Sequence, residues 1–230
     1  SKKNESIEEP ENDKPINNEN KNFILDFLTS IEKLDDQRSI DILKKRAGFT
    51  GEGCLTLEQI GKFYNVTRER IRQIESKAIK KMKHYSIGWN LDQNWDNKIN
   101  DILDNRIYPL LIEDLKSIEN FEDINLKNLD TLKYILSQCD KPFFVLDALD
   151  CEFVTRINLN DFLNIKHELL EFLKLCNQKT IDEIYRDAGQ IFPHDAKELS
   201  NKAIDFYLRN SAFGTNDNNE RILIEFSSRL

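Results

Sequence analysis

The residues best suited to chemistry in this 230-residue chain lie close together, in the run Arg68-Glu69-Arg70-Ile71-Arg72-Gln73-Ile74-Glu75-Ser76-Lys77. Arginine can donate twice to guanine O6 and N7, glutamine can pair with adenine, and glutamate can accept from cytosine N4. On a helix, at 100° per residue, Glu69, Arg72, Gln73, Ser76 and Lys80 share one face, and Arg68 flanks them from the first turn. Ile71, Ile74, Ala78 and Met82 form an apolar stripe on the other side. One face could therefore read base edges while the other is buried. The alternative is a solvated face laced with ion pairs, in which Glu69 holds Arg72 or Gln73.

Other chemistries find little support. Cys54, Cys139, Cys151 and Cys176 form no CxxC pair, and His84, His167 and His194 form no HxxxH. The cysteines are read as reduced, packed side chains rather than a disulfide or a metal site. Asp147, Asp150 and Glu152 fall in one short stretch and are read as a solvated turn. With no Gly-rich phosphate loop, nucleophile elbow or paired catalytic carboxylates, neither catalysis, a metal nor a cofactor is expected.

The flanking residues supply what a reading helix needs. Thr56-Leu57-Glu58-Gln59 is a capping box that opens a short helix to about Tyr64, with Leu57, Ile60 and Phe63 expected on its buried side. Asn65 tolerates the left-handed backbone of a tight turn, and Thr67 caps a longer helix from Thr67 to Lys83. Gly61 is placed where the close approach of two helices leaves no room for a side chain. A short capped helix, a tight turn and a long basic helix make a helix-turn-helix over residues 56–84. Upstream, Phe23 to Leu34 and Asp36 to Ala47 have helical periodicity, and Gly48 stops the second.

Charge distribution agrees. The chain is acidic overall, at −8, yet from Arg38 to Lys83 twelve Lys and Arg face five Asp and Glu. The remaining residues carry 21 basic and 36 acidic side chains. A basic module inside an acidic chain is an electrostatic footprint for nucleic acid, and the acidic parts must point away from it or meet a protein.

The run from Leu55 to His84, above all Val66-Thr67-Arg68-Glu69-Arg70-Ile71-Arg72-Gln73-Ile74-Glu75, resembles region four of the sigma-70-type bacterial sigma factors. The resemblance covers about residues 25–85. It implies a bacterial, cytoplasmic protein whose helix-turn-helix reads promoter DNA and whose partners include RNA polymerase. It also implies base-contacting roles for Arg68, Glu69, Arg72 and Gln73, and phosphate contacts for Arg70 and Lys77. No counterpart of the family's −10-reading region is found, and some 145 residues follow a domain that normally ends a sigma factor.

Those residues suggest a mainly α fold, with one or two small winged-helix-like α+β modules following the helix-turn-helix domain. Residues 1–20, polar and charged, are read as a disordered tail, 23–85 as a self-contained DNA-binding domain, and 86–97, with Trp89 and Trp95, as a connector. A small α+β module is expected over 98–158. It holds a helical stretch from Ile99 to Ile118 interrupted at Pro109, a helix from Leu126 to Cys139, and a hairpin across Asp147 to Glu152. A winged-helix-like module is expected over 159–230, with helices at Leu163 to Leu175, Thr180 to Ala188 and Ala196 to Leu208 before a β wing. No stretch approaches the ~18 apolar residues of a membrane span, and Ser1 in place of methionine would suit a piece of a longer protein.

Three functions fit. The first is a sequence-specific double-stranded DNA-binding protein that regulates transcription, its acidic half serving self-association or another protein. The second is a DNA-binding or scaffolding subunit of a larger defence or mobile-element complex. The third, engagement of RNA polymerase without reading DNA, leaves the base-reading set without a purpose.

Overall fold

The computed structural model describes residues 22–91, 94–104, 109–140, 143–192, 197–209 and 211–226. The tail expected at 1–20 lies outside the described residues. Helix α1 (Phe23–Glu32) buries Phe23, Ile24, Phe27 and Ile31 on one side. Its neighbour Asn22 makes no side-chain cap. The exposed amides are met instead by Asp123, whose Oδ2 accepts from the Ile24 and Leu25 N–H groups at 2.8 and 2.9 Å. Helix α2 (Gln37–Arg46) is capped by Asp36 and carries Lys44, Lys45 and Arg46 in its last turn, where cations suit the helix dipole. It ends at Gly48, whose φ of +79° puts it in the left-handed region.

Helices α3 (Leu57–Tyr64) and α4 (Arg68–Met82) form the helix-turn-helix. Five elements follow: α5 (Trp95–Leu103), strand β1 (Leu110–Leu111), the short helix α6 (Ile112–Leu115), a 3-10 turn at Leu126–Asn128, and α7 (Leu129–Gln138). Strands β2 (Phe144–Ala148) and β3 (Cys151–Thr155) close this part, and the antiparallel sheet has the order β1-β3-β2. The helical stretch expected from Ile99 to Ile118 is thus corrected: α5 stops at Leu103, and Leu110 and Leu111 pair with Val154 and Phe153. Proline has no amide to donate and is tolerated at the start of a strand, and both leucines after Pro109 are buried. The hairpin is also tighter than expected. Ala148 pairs with Cys151 across a two-residue turn, Leu149-Asp150, with φ of 55° and 56°. Paired positive φ values twist a turn in the sense the strands require.

The last part contains α8 (Leu159–Lys174), α9 (Ile181–Ile191), α10 (Lys197–Leu208), β4 (Ala212–Thr215) and β5 (Arg221–Glu225). Thr180, just before α9, forms an antiparallel bridge with Ile222 on β5. The order helix, short extended stretch, helix, helix, hairpin therefore occurs twice. In the first, β1 pairs with β3; in the second, the single residue Thr180 bridges to β5.

The packing crosses the boundaries expected at 85 and 98. One continuous core gathers Phe23, Phe27, Leu43, Met82, Trp89, Trp95, Phe121, Leu132, Ile135 and Val154. The stretch read as a connector supplies its two largest side chains, Trp89 and Trp95, at 1% and 0% exposure. Trp89 meets Phe27 edge-on at 4.9 Å and Trp95 meets Phe23 at 5.2 Å. The Trp95 indole N–H donates to Asp26 at 2.8 Å. Helix α1, placed within residues 23–85, completes its burial against Trp89, Trp95 and Phe121. A small second core, Ile42, Ile60 and Ile71, holds α2, α3 and α4 together. A third lies under α8, α9, α10 and the second hairpin. Among the described residues no helix is long and apolar enough to cross a membrane.

Candidate nucleic-acid interface

Local sequence fixes the angle between α3 and α4 at three points. At the start of α3 the Thr56 hydroxyl accepts from the Gln59 N–H at 3.2 Å, and the Gln59 side chain accepts from the Thr56 N–H at 2.7 Å. In the turn, Asn65 takes the left-handed conformation, with φ 53° and ψ 46°. At α4 the Thr67 hydroxyl accepts from the Arg70 N–H at 3.2 Å. Gly61 is required by the turn itself: a Cβ there would stand 2.8 Å from the Val66 carbonyl oxygen. Phe63, expected to be buried, is instead 68% exposed. Ile60 and Gly61 occupy the packed face, and Phe63 projects outward, with Lys45 Nζ 4.9 Å from its ring centre.

All eight candidate contact residues on α4 are exposed: Arg68, Glu69, Arg70, Arg72, Gln73, Ser76, Lys77 and Lys80. Ile71, Ala78, Ile79 and Met82 are buried behind them, and Ile74 is half-buried. Four of the eight are knitted together. Arg72 donates twice to Glu69, Nε to Oε2 at 2.8 Å and NH2 to Oε1 at 2.7 Å. Gln73 donates to Glu69 at 3.3 Å and accepts from Arg70 at 3.4 Å. Arg68 approaches Glu58 of α3 at 3.7 Å. The hydrogen bonds from Arg72 hold the Glu69 carboxyl below its ordinary range, and those to Glu69 raise Arg72 further. The pairs foreseen as the alternative are therefore present, on a face that is also fully open. Exposed pairs of this kind are screened by solvent and contribute little, so exchanging them for base edges costs little.

A second group behind this face was not legible in the sequence. Glu75, on the flank of α4, accepts from Arg46 Nε at 2.7 Å and from the Tyr134 hydroxyl at 2.8 Å. Arg46 also donates to the Leu55 carbonyl at 2.5 Å. A charged residue beside an apolar stripe is the only local hint, and Tyr134 lies 59 positions away.

The comparisons concern this part of the chain. Residues 32–84 match the family described as Sigma-70, region 4. RNA polymerase sigma factor SigA of Microcystis aeruginosa is 40% identical over 76 residues, which are 33% of this chain and 18% of that protein. SigA1 of Synechococcus elongatus is 44% identical over 64 residues, 28% of this chain and 16% of that protein. SigA of Lactococcus lactis subsp. cremoris is 38% identical over 78 residues, 34% and 21% respectively. The chain thus spans about a fifth of the length of these relatives. No solved structure matches it. Residues 32–84, with the helix-turn-helix they contain, are thus similar to region 4 of the sigma-70 factors.

Proposed function

We propose that this chain is a sequence-specific double-stranded DNA-binding protein that regulates transcription, reading promoter-like DNA with α4 and performing no catalysis. One observation carries this: the segment similar to sigma-70 region 4 exposes Arg68, Glu69, Arg72 and Gln73 together on a helix whose start, turn and buried side are all fixed. Arg68, Glu69, Arg72 and Gln73 then contact bases, Arg70 and Lys77 contact phosphate, and Ser76 and Lys80 extend the surface. The acidic remainder serves self-association or another protein, RNA polymerase among the candidates. The twice-occurring order of helix, extended stretch, helix, helix and hairpin, with the extended stretch bridged to the hairpin, supports reading residues 95–155 and 159–225 as two winged-helix-like modules.

The test is site selection from a randomised duplex library with the full chain, followed by titration of the enriched site at several salt concentrations. A defined site should emerge, and log affinity should fall against log salt by about 0.9 per phosphate neutralised. Absence of duplex binding, or affinity indifferent to salt, would sink the proposal.

A further inference from the structure

We propose that Tyr134, acting through Glu75, is a positioning residue for α4, so that the pose of the reading helix is set from beyond the region 4 segment. This rests on α4 being the helix that meets DNA. The Glu75 carboxylate is the point where four parts of the chain meet. Its Oε1 accepts from Arg46 at the end of α2 and from Tyr134 of α7. Arg46 reaches on to the carbonyl of Leu55, the residue before the cap of α3. Its guanidinium also lies 5.1 Å from the centre of the Tyr134 ring. The Arg46 and Glu75 side chains are only 21% and 13% exposed, so this pair is screened far less than the pairs on the open face.

Helix α7 does not merely follow α4. The Thr131 hydroxyl donates to the Ala47 carbonyl at 2.7 Å, which ties α7 to the end of α2 by a separate bond. Leu132 and Ile135 are fully buried in the main core. The Tyr134 hydroxyl is thus offered from a fixed platform. Burial first, and the neighbouring Glu75 charge second, keep this phenol protonated well above its ordinary range, so it remains a donor. Glu75 follows Arg72 by three residues and immediately precedes Ser76. Any rotation of α4 about that bond swings both reading residues. Recognition geometry tolerates only about 0.5 Å and 10–20°.

The experiment uses the full chain with Tyr134→Phe, Glu75→Gln and the double variant. Tyr134→Phe keeps the ring against Arg46 and Phe27, so its melting temperature should stay near that of the parent. Without DNA, amide hydrogen exchange along α4 should quicken while the second hairpin stays unchanged. With DNA, preference for the selected site over random duplex should fall about five- to tenfold, the net weight of one typical intramolecular hydrogen bond. The salt slope should not change, because phosphate contacts are kept, and the double variant should lose no more than the larger single loss. Unchanged exchange in α4, or equal loss on all sequences in step with stability, would overturn the inference. A parent protein with no preferred site would remove the DNA reading alone. Exchange in α4 would then still decide whether Tyr134 holds the helix.

Discussion

At the scale of single residues, Arg72 already has a partner. Its two bonds to Glu69 aim the guanidinium along the open face of α4 without withdrawing it from solvent, since both side chains remain more than half exposed. Arg72→Ala should cost about 1–3 kcal/mol on the selected site and relax preference at one base pair, as loss of a bidentate guanine contact does. Lys77→Ala should weaken all sequences alike and lower the salt slope by about one. Anisotropy titrations on the selected and scrambled duplexes separate the two, and equal behaviour of both variants would mean that the helix grips backbone without reading. The exposed face of α4 was legible in the sequence because helical period alone sorts Arg72 from Ile71. Phe63 was misjudged by the same arithmetic. The close approach at Gly61 was legible, but not its consequence: with Ile60 and Gly61 on the packed side, Phe63 turns outward.

At the scale of elements, local signals served wherever the stabilising partner is local. The Thr56, Thr67 and Asp36 caps, the Asn65 turn and the stop at Gly48 all act within four residues. Helix α1 does not follow this rule. Asn22 precedes it and resembles a cap, but the work is done by Asp123, 99 positions from Ile24. Burial raises the Asp123 carboxyl above its ordinary range, and the amides it accepts from offset only part of that rise. Because two capping bonds are lost with it, Asp123→Ala should destabilise the protein by about 0.5–2 kcal/mol, the range for a lost helix cap. Asn22→Ala should have almost no effect. Urea denaturation of the two variants checks this, and a larger loss at Asn22 would refute the assignment. Pro109 shows the same limit: it announced a break, but only the distant Phe153 and Val154 reveal that the next residues form a strand.

At the scale of the molecule, the helices that precede the two hairpins, α7 and α10, are both engaged with neighbouring elements. If the later parts are winged-helix-like, as proposed above, these are the helices that would have to enter a groove. Helix α7 holds α2 and α4 through Thr131 and Tyr134. Helix α10 packs on β1, and Arg209 at its end pairs with Asp150 in the hairpin turn at 2.8 Å. Lys202 and Arg209 line a cleft of about 340 Å³ with Glu113, Asp147, Asp150, Glu152 and Asp205. Two cations among five carboxylates are poorly placed to meet phosphate. Lys202→Glu should leave DNA affinity and salt slope unchanged in the titration where Lys77→Ala weakens binding. A comparable loss would make α10 a second reader. The alternation of helices and hairpins was legible from periodicity, but this stacking was not, because each contact joins segments far apart in sequence.

The bond between Ile24 and Asp123 has a consequence for biosynthesis. A chain emerging from the ribosome exposes Phe23 and Phe27 well before Trp95, Phe121 or Asp123 has been made. At elongation rates of about 5–20 residues per second the 99-residue interval lasts roughly 5–20 s. During that time α1 has only nearby partners such as Leu43, Ala47, Ala78 and Met82, while Phe23 and the first amides of α1 wait for Trp95, Phe121 and Asp123. A chain that stops short of Asp123 is therefore expected to leave Phe23 uncovered and to be prone to aggregate.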